Sequence, residues 1–254
     1  MPITRRRDTL PANPVRPFDN FVAFTMASQN LVAALKRTWL DPYHISHSTI
    51  ERGLRRHSDA IGGRVLDVGC GDKPYKRFFP RATHYVGTET RHTFAKQRAF
   101  DVIALGEALP FSSGSMNGIL CTEVLEHVPE PGDFLTEMHR VLAADGVLLL
   151  TTPQTWGLHE EPYDFYRYTK YGLSYLFKKS GFEVLSVEPT TGTLGTVGQR
   201  LSSFWYTRLR KSKLTKPLGV LGSSGIQLAF YAMDIIFAHQ GDTLDWIVLA
   251  RKCD

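Results

Sequence analysis

From Gly62 onward the chain alternates short apolar runs with helix-sized amphipathic segments. The runs are Arg64–Val68, His84–Thr88, Asp101–Leu105, Gly118–Thr122 and Gly146–Thr152. Apolar runs of strand length, separated by enough chain for a helix, predict a parallel sheet covered on both faces. Between the fourth and fifth runs, Phe134, Leu135, Met138, Val141 and Leu142 recur at helical spacing, and Asp145-Gly146 turns the chain into the next strand. Further on, Thr169 reads as an N-cap, Leu173, Leu176 and Phe177 as a buried helical face, and Gly181 as a stop. Phe182–Val187 and Thr243–Ala250 predict two more strands, with about fifty residues rich in helix formers between them. Ahead of the sheet, Phe21, Phe24, Leu31, Ala34 and Leu35 predict a helix from Phe18 to about Leu40, and a second runs from Ser46 to Ala60. Residues 1–17 hold four prolines and four arginines and read as a mobile arm.

The expected architecture is a Rossmann-like, doubly wound α/β sheet of seven strands, six parallel and one reversed. It divides into the arm (1–17), a helical cap (18–60), an α/β core (61–189), a helical insertion on the acceptor side (190–240) and a last core strand (241–254). A composition of 43% hydrophobic and 22% charged residues over 254 positions suits one such globular unit and excludes wholesale disorder. The three cysteines, Cys70, Cys121 and Cys253, stand far apart in no CxxC pair. A disulfide framework and a zinc cluster are therefore not expected, no metal site is assigned, and a reducing compartment is the default. The arginine-bearing start lacks an apolar core, so it does not read as a secretory signal. The net charge of +5 is unevenly placed. No Asp or Glu lies between Glu188 and Asp234, while Arg200, Arg208, Arg210, Lys211, Lys213 and Lys216 all do.

The chemistry concentrates at strand ends. Val65-Leu66-Asp67-Val68-Gly69-Cys70-Gly71 closes a strand on an acidic residue and a glycine-bearing turn, with a helix expected after Pro74. Glycines admit a ligand close to the backbone, and a helix N-terminus offers free N–H groups. The second strand ends in Gly87-Thr88-Glu89, where a carboxylate can accept from both hydroxyls of a ribose. Together these specify a nucleoside-containing ligand at the carboxyl edge of the sheet. The third glycine of the dinucleotide fingerprint is missing, since Asp72, Lys73 and Pro74 follow Gly71. Asp67 suits a ligand carrying a cationic amine better than a pyrophosphate.

The series VLDVGCG, YVGTE, EALPF and ILCTEVLEHV resembles, in order, the motifs of class I S-adenosyl-L-methionine (SAM)-dependent methyltransferases, in particular the type 11 group. The resemblance covers roughly residues 61–190. It implies that Asp67, Gly69, Cys70 and Gly71 hold the methionine portion of SAM, and that Glu89 with Thr90 holds the ribose. Gly106, Glu107 and Ala108 would border the adenine, and the strand end at Cys121, Thr122 and Glu123 would lie beneath the sulfonium. S-adenosyl-L-homocysteine (SAH) would be the product. Lys73, Leu105 and Asn117 depart from the pattern, replacing a glycine, an acidic residue and an aspartate respectively. His127, within LEHV, takes the motif's helix-packing role near the cofactor.

The run from His159 to Thr169 resembles an H-x-x-P-x-D-F-Y-R-Y-T stretch found in a subset of the same family. His159 has the unperturbed pKa of a general base at neutral pH, roughly 6.5, or alternatively pins the loop. Asp164 and Arg167 are placed with it as a candidate catalytic group and read equally as an ion pair shaping the loop. Tyr163 is placed with them in an acceptor pocket and reads equally as a packing residue. The expected reaction is methyl transfer to a hydroxyl of a small-molecule, sugar or lipid-linked glycan acceptor. Three rivals stay open: a nicotinamide oxidoreductase, a non-catalytic binding subunit, and a SAM-dependent enzyme of non-methyl chemistry. The insertion reads as a lid on the sheet or, through residues 200–238, as a contact with an anionic membrane surface. No nucleic-acid partner is expected. The expected state is a monomer or homodimer in the cytoplasm, with a peripheral position at the inner face of the membrane if the contact is made.

Overall fold

The computed structural model describes residues 38–90, 99–237 and 241–253. The arm and the first helix of the expected cap lie outside these residues. The second cap helix is α1 (His44–Arg56), followed by a 3-10 turn at Ser58–Ala60. The sheet strands are β1 (Gly63–Val68), β2 (Ala82–Glu89), β3 (Val102–Ile103), β4 (Met116–Thr122), β5 (Leu142–Pro153), β6 (Phe182–Pro189) and β7 (Asp245–Lys252). Helices α2 (Pro131–Val141) and α3 (Lys170–Lys179) follow β4 and β5, and α4 (Thr193–Leu209) and α5 (Lys216–Phe237) stand between β6 and β7.

The strand order is β3-β2-β1-β4-β5-β7-β6. Pairing is parallel from β3 through β5, and β7 runs antiparallel to both β5 and β6. This is the expected sheet of six strands in one direction and one reversed. Its central strands bury both faces, so neighbouring residues serve different cores. Leu66, Ile119, Leu148 and Val248 meet Phe134, Leu135, Met138, Leu173 and Phe177 on one side. Val65, Leu120, Leu149 and Ile247 meet Ile50, Leu54, Phe78 and Phe79 on the other.

Several local expectations are refined. The segment after Pro74 forms only a 3-10 turn at Lys76–Phe78, because β2 begins at Ala82 and leaves no room for a full helix. β5 starts at Leu142, directly after α2, and the Asp145-Gly146 turn is absorbed as an irregularity in its first half, with Asp145 at φ 58°. Thr169 caps α3 by accepting from Gly172 N at 3.1 Å, and Gly181 ends that segment at φ 88°. Asn117 keeps the role of an acidic residue, its Oδ1 accepting from Arg64 N at 3.0 Å.

The insertion is a helical hairpin with an inverted composition. Its buried positions are small or polar: Gly195, Thr196, Gly198, Gln199 and Ser202 on α4, and Gly219, Ser223 and Gln227 on α5. A Cβ on Gly198 would stand 2.3 Å from Phe230 Cβ, so the close approach of the helices needs that glycine. Gln227 Oε1 accepts from Ile45 N at 3.0 Å and Gln199 Oε1 from Ser46 N at 3.3 Å, which satisfies free donors in the first turn of α1. The hairpin thus docks on the cap through polar groups and leaves large apolar side chains outside.

Candidate active site

The carboxyl ends of β1 to β5 carry the loops that form a cavity of about 450 Å³. Along the edge, its wall is built from Ala104–Glu107 after β3, Thr88–Thr90 at the end of β2, Val68 and Gly69 at the end of β1, and Glu123, Val124 and His127–Pro129 after β4. Glu160, Tyr163 and Phe165 from the loop after β5 close the far end, and Phe134 of α2 contributes to the wall.

The glycine turn takes the form that its sequence requires. Gly69 and Gly71 have φ of 68° and 54°, and a Cβ on Gly69 would stand 2.4 Å from Val124 Cγ2. Lys73 also lies in the left-handed region at φ 52°, which accounts for a glycine preference there. Glu89 is 6% exposed and held in place from below. Its Oε2 accepts from Gly71 N at 3.1 Å and its Oε1 from Thr90 N at 2.9 Å. Leu105 and Ala108 pair across the Gly106-Glu107 turn, and a Cβ on Gly106 would lie 2.0 Å from the Phe134 ring. Leu105, in place of an acidic residue, presents an apolar side chain to the cavity.

Asp67 sits behind this wall rather than in it. It is 1% exposed, accepts from the Tyr85 hydroxyl at 2.7 Å through Oδ2, and leaves Oδ1 without a hydrogen-bond partner. Burial raises its pKa to about 7, and the Tyr85 hydrogen bond opposes that shift. Cys70 is buried, with its thiol raised to about 12 chiefly by burial and next by the Asp67 charge. Cys70, Gly71, Ala108 and Thr122 support the cavity without lining it, whereas Gly69, Glu89, Thr90, Gly106, Glu107 and Glu123 line it.

At the other end, Asp164 and Arg167 form a two-pronged ion pair, 2.7 Å from Nη1 to Oδ1 and 2.8 Å from Nη2 to Oδ2. Arg167 also donates to Gly157 O at 2.9 Å, and Asp164 accepts from His159 N at 2.9 Å. The Arg167 guanidinium holds the Asp164 carboxyl down at about 2. Together they fix the loop carrying His159. Tyr163 lines the cavity, and His159 stands behind the wall, stacked edge-on against His127 with centroids 4.7 Å apart. His127, assigned to helix packing from its motif, lines the cavity itself, and the packing falls to the fully buried Leu125. Its Nδ1 lies 2.6 Å from Tyr163 O. A carbonyl only accepts, so Nδ1 carries the proton and Nε2 keeps a lone pair.

Glu126 is the site residue the sequence reading passed over. It is fully buried, beside Glu123 and Asp245. Loss of solvent pushes all three carboxyls up, Glu123 to about 7. Glu123 and Glu160, both in the wall, have left-handed backbone at φ 54° and 51°. The one legible sign was an acidic residue set between apolar neighbours in Val124-Leu125-Glu126-His127-Val128.

Residues 66–150 match the family model described as a methyltransferase domain. An uncharacterized methyltransferase of Mycobacterium sp. strain KMS is 34% identical over 173 residues, covering 57% of this chain and 68% of that protein. The chain belongs to the methyltransferase family. SAM is the cofactor of enzymes of that family. A ubiquinone biosynthesis O-methyltransferase of Xanthomonas oryzae pv. oryzae is 27% identical over 147 residues, 51% of the methyltransferase chain and 62% of its relative. The chain spans 42% of the length of the Mycobacterium tuberculosis relatives it matches. Among solved structures, a SAM-dependent methyltransferase from Mesorhizobium loti aligns over 82% of this chain and 100% of its own, with TM-score 0.52 and 14% identity. The [4+2]-cyclase SpnF aligns over 80% and 79% with TM-score 0.51 and 18% identity. At those identities the likeness is one of fold.

The residues of this methyltransferase fit the cofactor. A buried carboxylate oxygen lacks a partner beneath the glycine turn, side chains are excluded from the turn itself, and a second carboxylate stands at the end of β2.

Proposed function

We propose that this methyltransferase transfers a methyl group to a hydroxyl oxygen of a small-molecule, sugar or lipid-linked acceptor. The observation that carries the reading is that one cavity joins a nucleoside end, at Glu89 and Gly69, to an end with an imidazole, a phenol and a carboxylate, at His127, Tyr163 and Glu160. Asp67 and the Gly69–Gly71 turn would hold the amino-acid portion of SAM, Glu89 the ribose hydroxyls, and Leu105, Val128 and Phe134 the adenine. When bound, SAM supplies an electrophilic methyl group on a sulfonium. The protein's part is alignment and exclusion of water. As the new C–O bond forms and the C–S bond breaks, the hydroxyl proton leaves to solvent, at the end of the cavity lined by the His127 imidazole. His159, fixed by Asp164 and Arg167, backs that imidazole. The O-methyltransferase among the relatives supports oxygen as the target atom. The test is SAH calorimetry followed by mass spectrometry of candidate hydroxyl acceptors incubated with SAM. SAH binding and a mass gain of one CH2 support the reading. Absence of SAH binding, or a product altered without methyl gain, refutes it.

The same proposal places the enzyme at the cytoplasmic face of an anionic membrane, through the α4–α5 hairpin. Phe204, Leu214, Leu218, Leu221, Ile235 and Ile236 are exposed among the described residues, and α5 is long and apolar enough to cross a bilayer. Small residues inside and apolar residues outside is the pattern of helices that face lipid. Arg208, Arg210, Lys211, Lys213 and Lys216 cluster at the turn between the helices, where they suit anionic headgroups. Co-flotation with phosphatidylglycerol vesicles, lost in a Leu218→Glu/Leu221→Glu double variant that keeps SAH binding, is the expected result. No flotation of the unaltered chain would remove the membrane role.

A further inference from the structure

We propose that Glu126, His127 and His159 form a binding site for one divalent transition-metal cation at the acceptor end of the cavity. One ligand atom from each of the three lies within 4.8 Å of the others. His127 Nε2 stands 3.6 Å from Glu126 Oε1, too far for a hydrogen bond. Metal–ligand bonds of about 2.0–2.2 Å put adjacent ligand atoms about 3 Å apart, so the Glu126–His127 pair needs a contraction of about half an ångström and the His159 nitrogen draws in from within 4.8 Å by rotation of its partly exposed side chain.

Each ligand is presented for coordination. Glu126 is 0% exposed; its Oε2 accepts from Thr152 Oγ1 at 3.2 Å, and its Oε1 has no hydrogen-bond partner. Among the described residues no Lys or Arg makes an ion pair with it. A buried carboxyl with no cationic partner is either kept neutral or bound to a metal. His127 donates Nδ1–H to a backbone carbonyl, which fixes the ring with Nε2 on the side of Glu126 Oε1, as outer partners of metal-bound imidazoles do. For His159, Nδ1 lies 3.2 Å from Gly157 O and 3.4 Å from Asp164 Oδ2, two acceptors. Arg167 Nη2 is also 3.4 Å away, but it is already committed to Gly157 O and Asp164 Oδ2 at shorter distances. Nδ1 of His159 therefore carries the proton, and its Nε2 is the free nitrogen. Glu126 O accepts from Phe165 N and Tyr166 N, which ties the His159 loop to the first two ligands.

Two imidazoles and one carboxylate favour the Mn²⁺ to Zn²⁺ series over Mg²⁺ or Ca²⁺, which prefer all-oxygen sets. Three protein ligands leave positions open, and His127 lines the cavity, so an oxygen of the acceptor can take one of them. There the cation would make the hydroxyl more acidic; its proton leaves to solvent, and the oxygen bonds to the methyl carbon as the methyl C–S bond of SAM breaks and SAH leaves. This catalytic use rests on methyl transfer to oxygen, whereas the binding site does not.

The test is titration of the EDTA-treated full chain with Co²⁺, read by visible absorption and calorimetry, with SAH binding measured in parallel. One equivalent of Co²⁺, displaced by Zn²⁺, is expected. His159→Ala, His127→Gln and Glu126→Gln should each weaken it by at least about tenfold, since loss of a mere outer-shell partner already costs about that. The His159 side chain is 32% exposed, so its removal should spare the fold and SAH binding. No stoichiometric Co²⁺ uptake, or unchanged affinity in His159→Ala, overturns the site. SAH binding without Co²⁺ binding refutes the metal alone, and Co²⁺ binding without SAH binding leaves the metal site standing and refutes the methyltransferase reading.

Discussion

Asp67→Asn should make the protein more stable at alkaline pH and poorer at binding its cofactor. The carboxyl is raised from 3.8 to about 7 in the folded state, chiefly by burial. An acid whose pKa is raised on folding binds more protons folded than unfolded between those two values. Stability is therefore full below about pH 4, falls as pH rises toward 7, and stays low above it. Three units at about 1.4 kcal/mol each make the loss about 4 kcal/mol. At 1% exposure, solvent screening does not reduce it appreciably. Asparagine cannot ionise, so the variant escapes this loss. It keeps an acceptor for the Tyr85 hydroxyl but sets an N–H₂ where Oδ1 has no partner, at about 1–3 kcal/mol. Near pH 4 the variant should be the weaker protein by that amount, and at pH 8 the stronger by about 1–3 kcal/mol.

The assay is urea unfolding of both proteins without cofactor from pH 4 to pH 8, compared as a difference so that the other raised carboxyls cancel. SAH affinity should drop by roughly tenfold or more, the scale of a lost hydrogen bond between charged groups. Parallel pH curves would show that Asp67 is not desolvated as described. Unchanged SAH affinity would show that its free oxygen does not face the amino-acid tail. A protein stabilised by losing its cofactor contact is the expected signature of a strained binding group.

Glu89→Ala removes the acceptor for Gly71 N and Thr90 N as well as the proposed ribose contact, and should weaken SAH binding by about 1–3 kcal/mol in calorimetry; no change would move the ribose elsewhere. Arg167→Lys keeps the charge but loses the fork to Asp164. It should lower kcat/KM while leaving SAH affinity within about twofold, because the loop it holds is on the acceptor side, and loss of SAH affinity instead would place Arg167 in the cofactor site.

The fold was legible because the central strands are short, largely apolar runs with a glycine or an acidic residue directly after them: Gly69 follows Arg64–Val68 and Glu123 follows Gly118–Thr122. Boundaries were less so where tertiary constraints overrode local signals. Asp145-Gly146 looks like a turn between elements, yet pairing of Met116 with Leu142 draws the preceding residues into β5. The cofactor end was readable for a related reason: Gly69, Glu89 and Gly106 sit at strand ends, where topology alone fixes their neighbours. The acceptor end was not. His127 and His159 are brought into contact by a loop that folds back onto Glu126 through backbone hydrogen bonds, and no spacing rule reports that. The inverted character of the hairpin was hidden too, because Gly, Ser and Gln within an apolar run look like interruptions until they are seen to form its inner face.

That hairpin reaches the acceptor end directly. The Arg200 side chain of α4 stands over the Trp156 ring at 5.7 Å and against Gly157, where an added Cβ would meet Nη1 at 3.2 Å. Gly157 O is the acceptor shared by Arg167 and His159. A shift of α4 relative to the cap would therefore act on the carbonyl that fixes the His159 tautomer, one residue away from Trp156. The hairpin docks on α1 through the fully buried Gln199 and Gln227 side chains, so such a shift would have to break hydrogen bonds that water does not reach, which braces the hairpin, and with it the Gly157 carbonyl, in one arrangement.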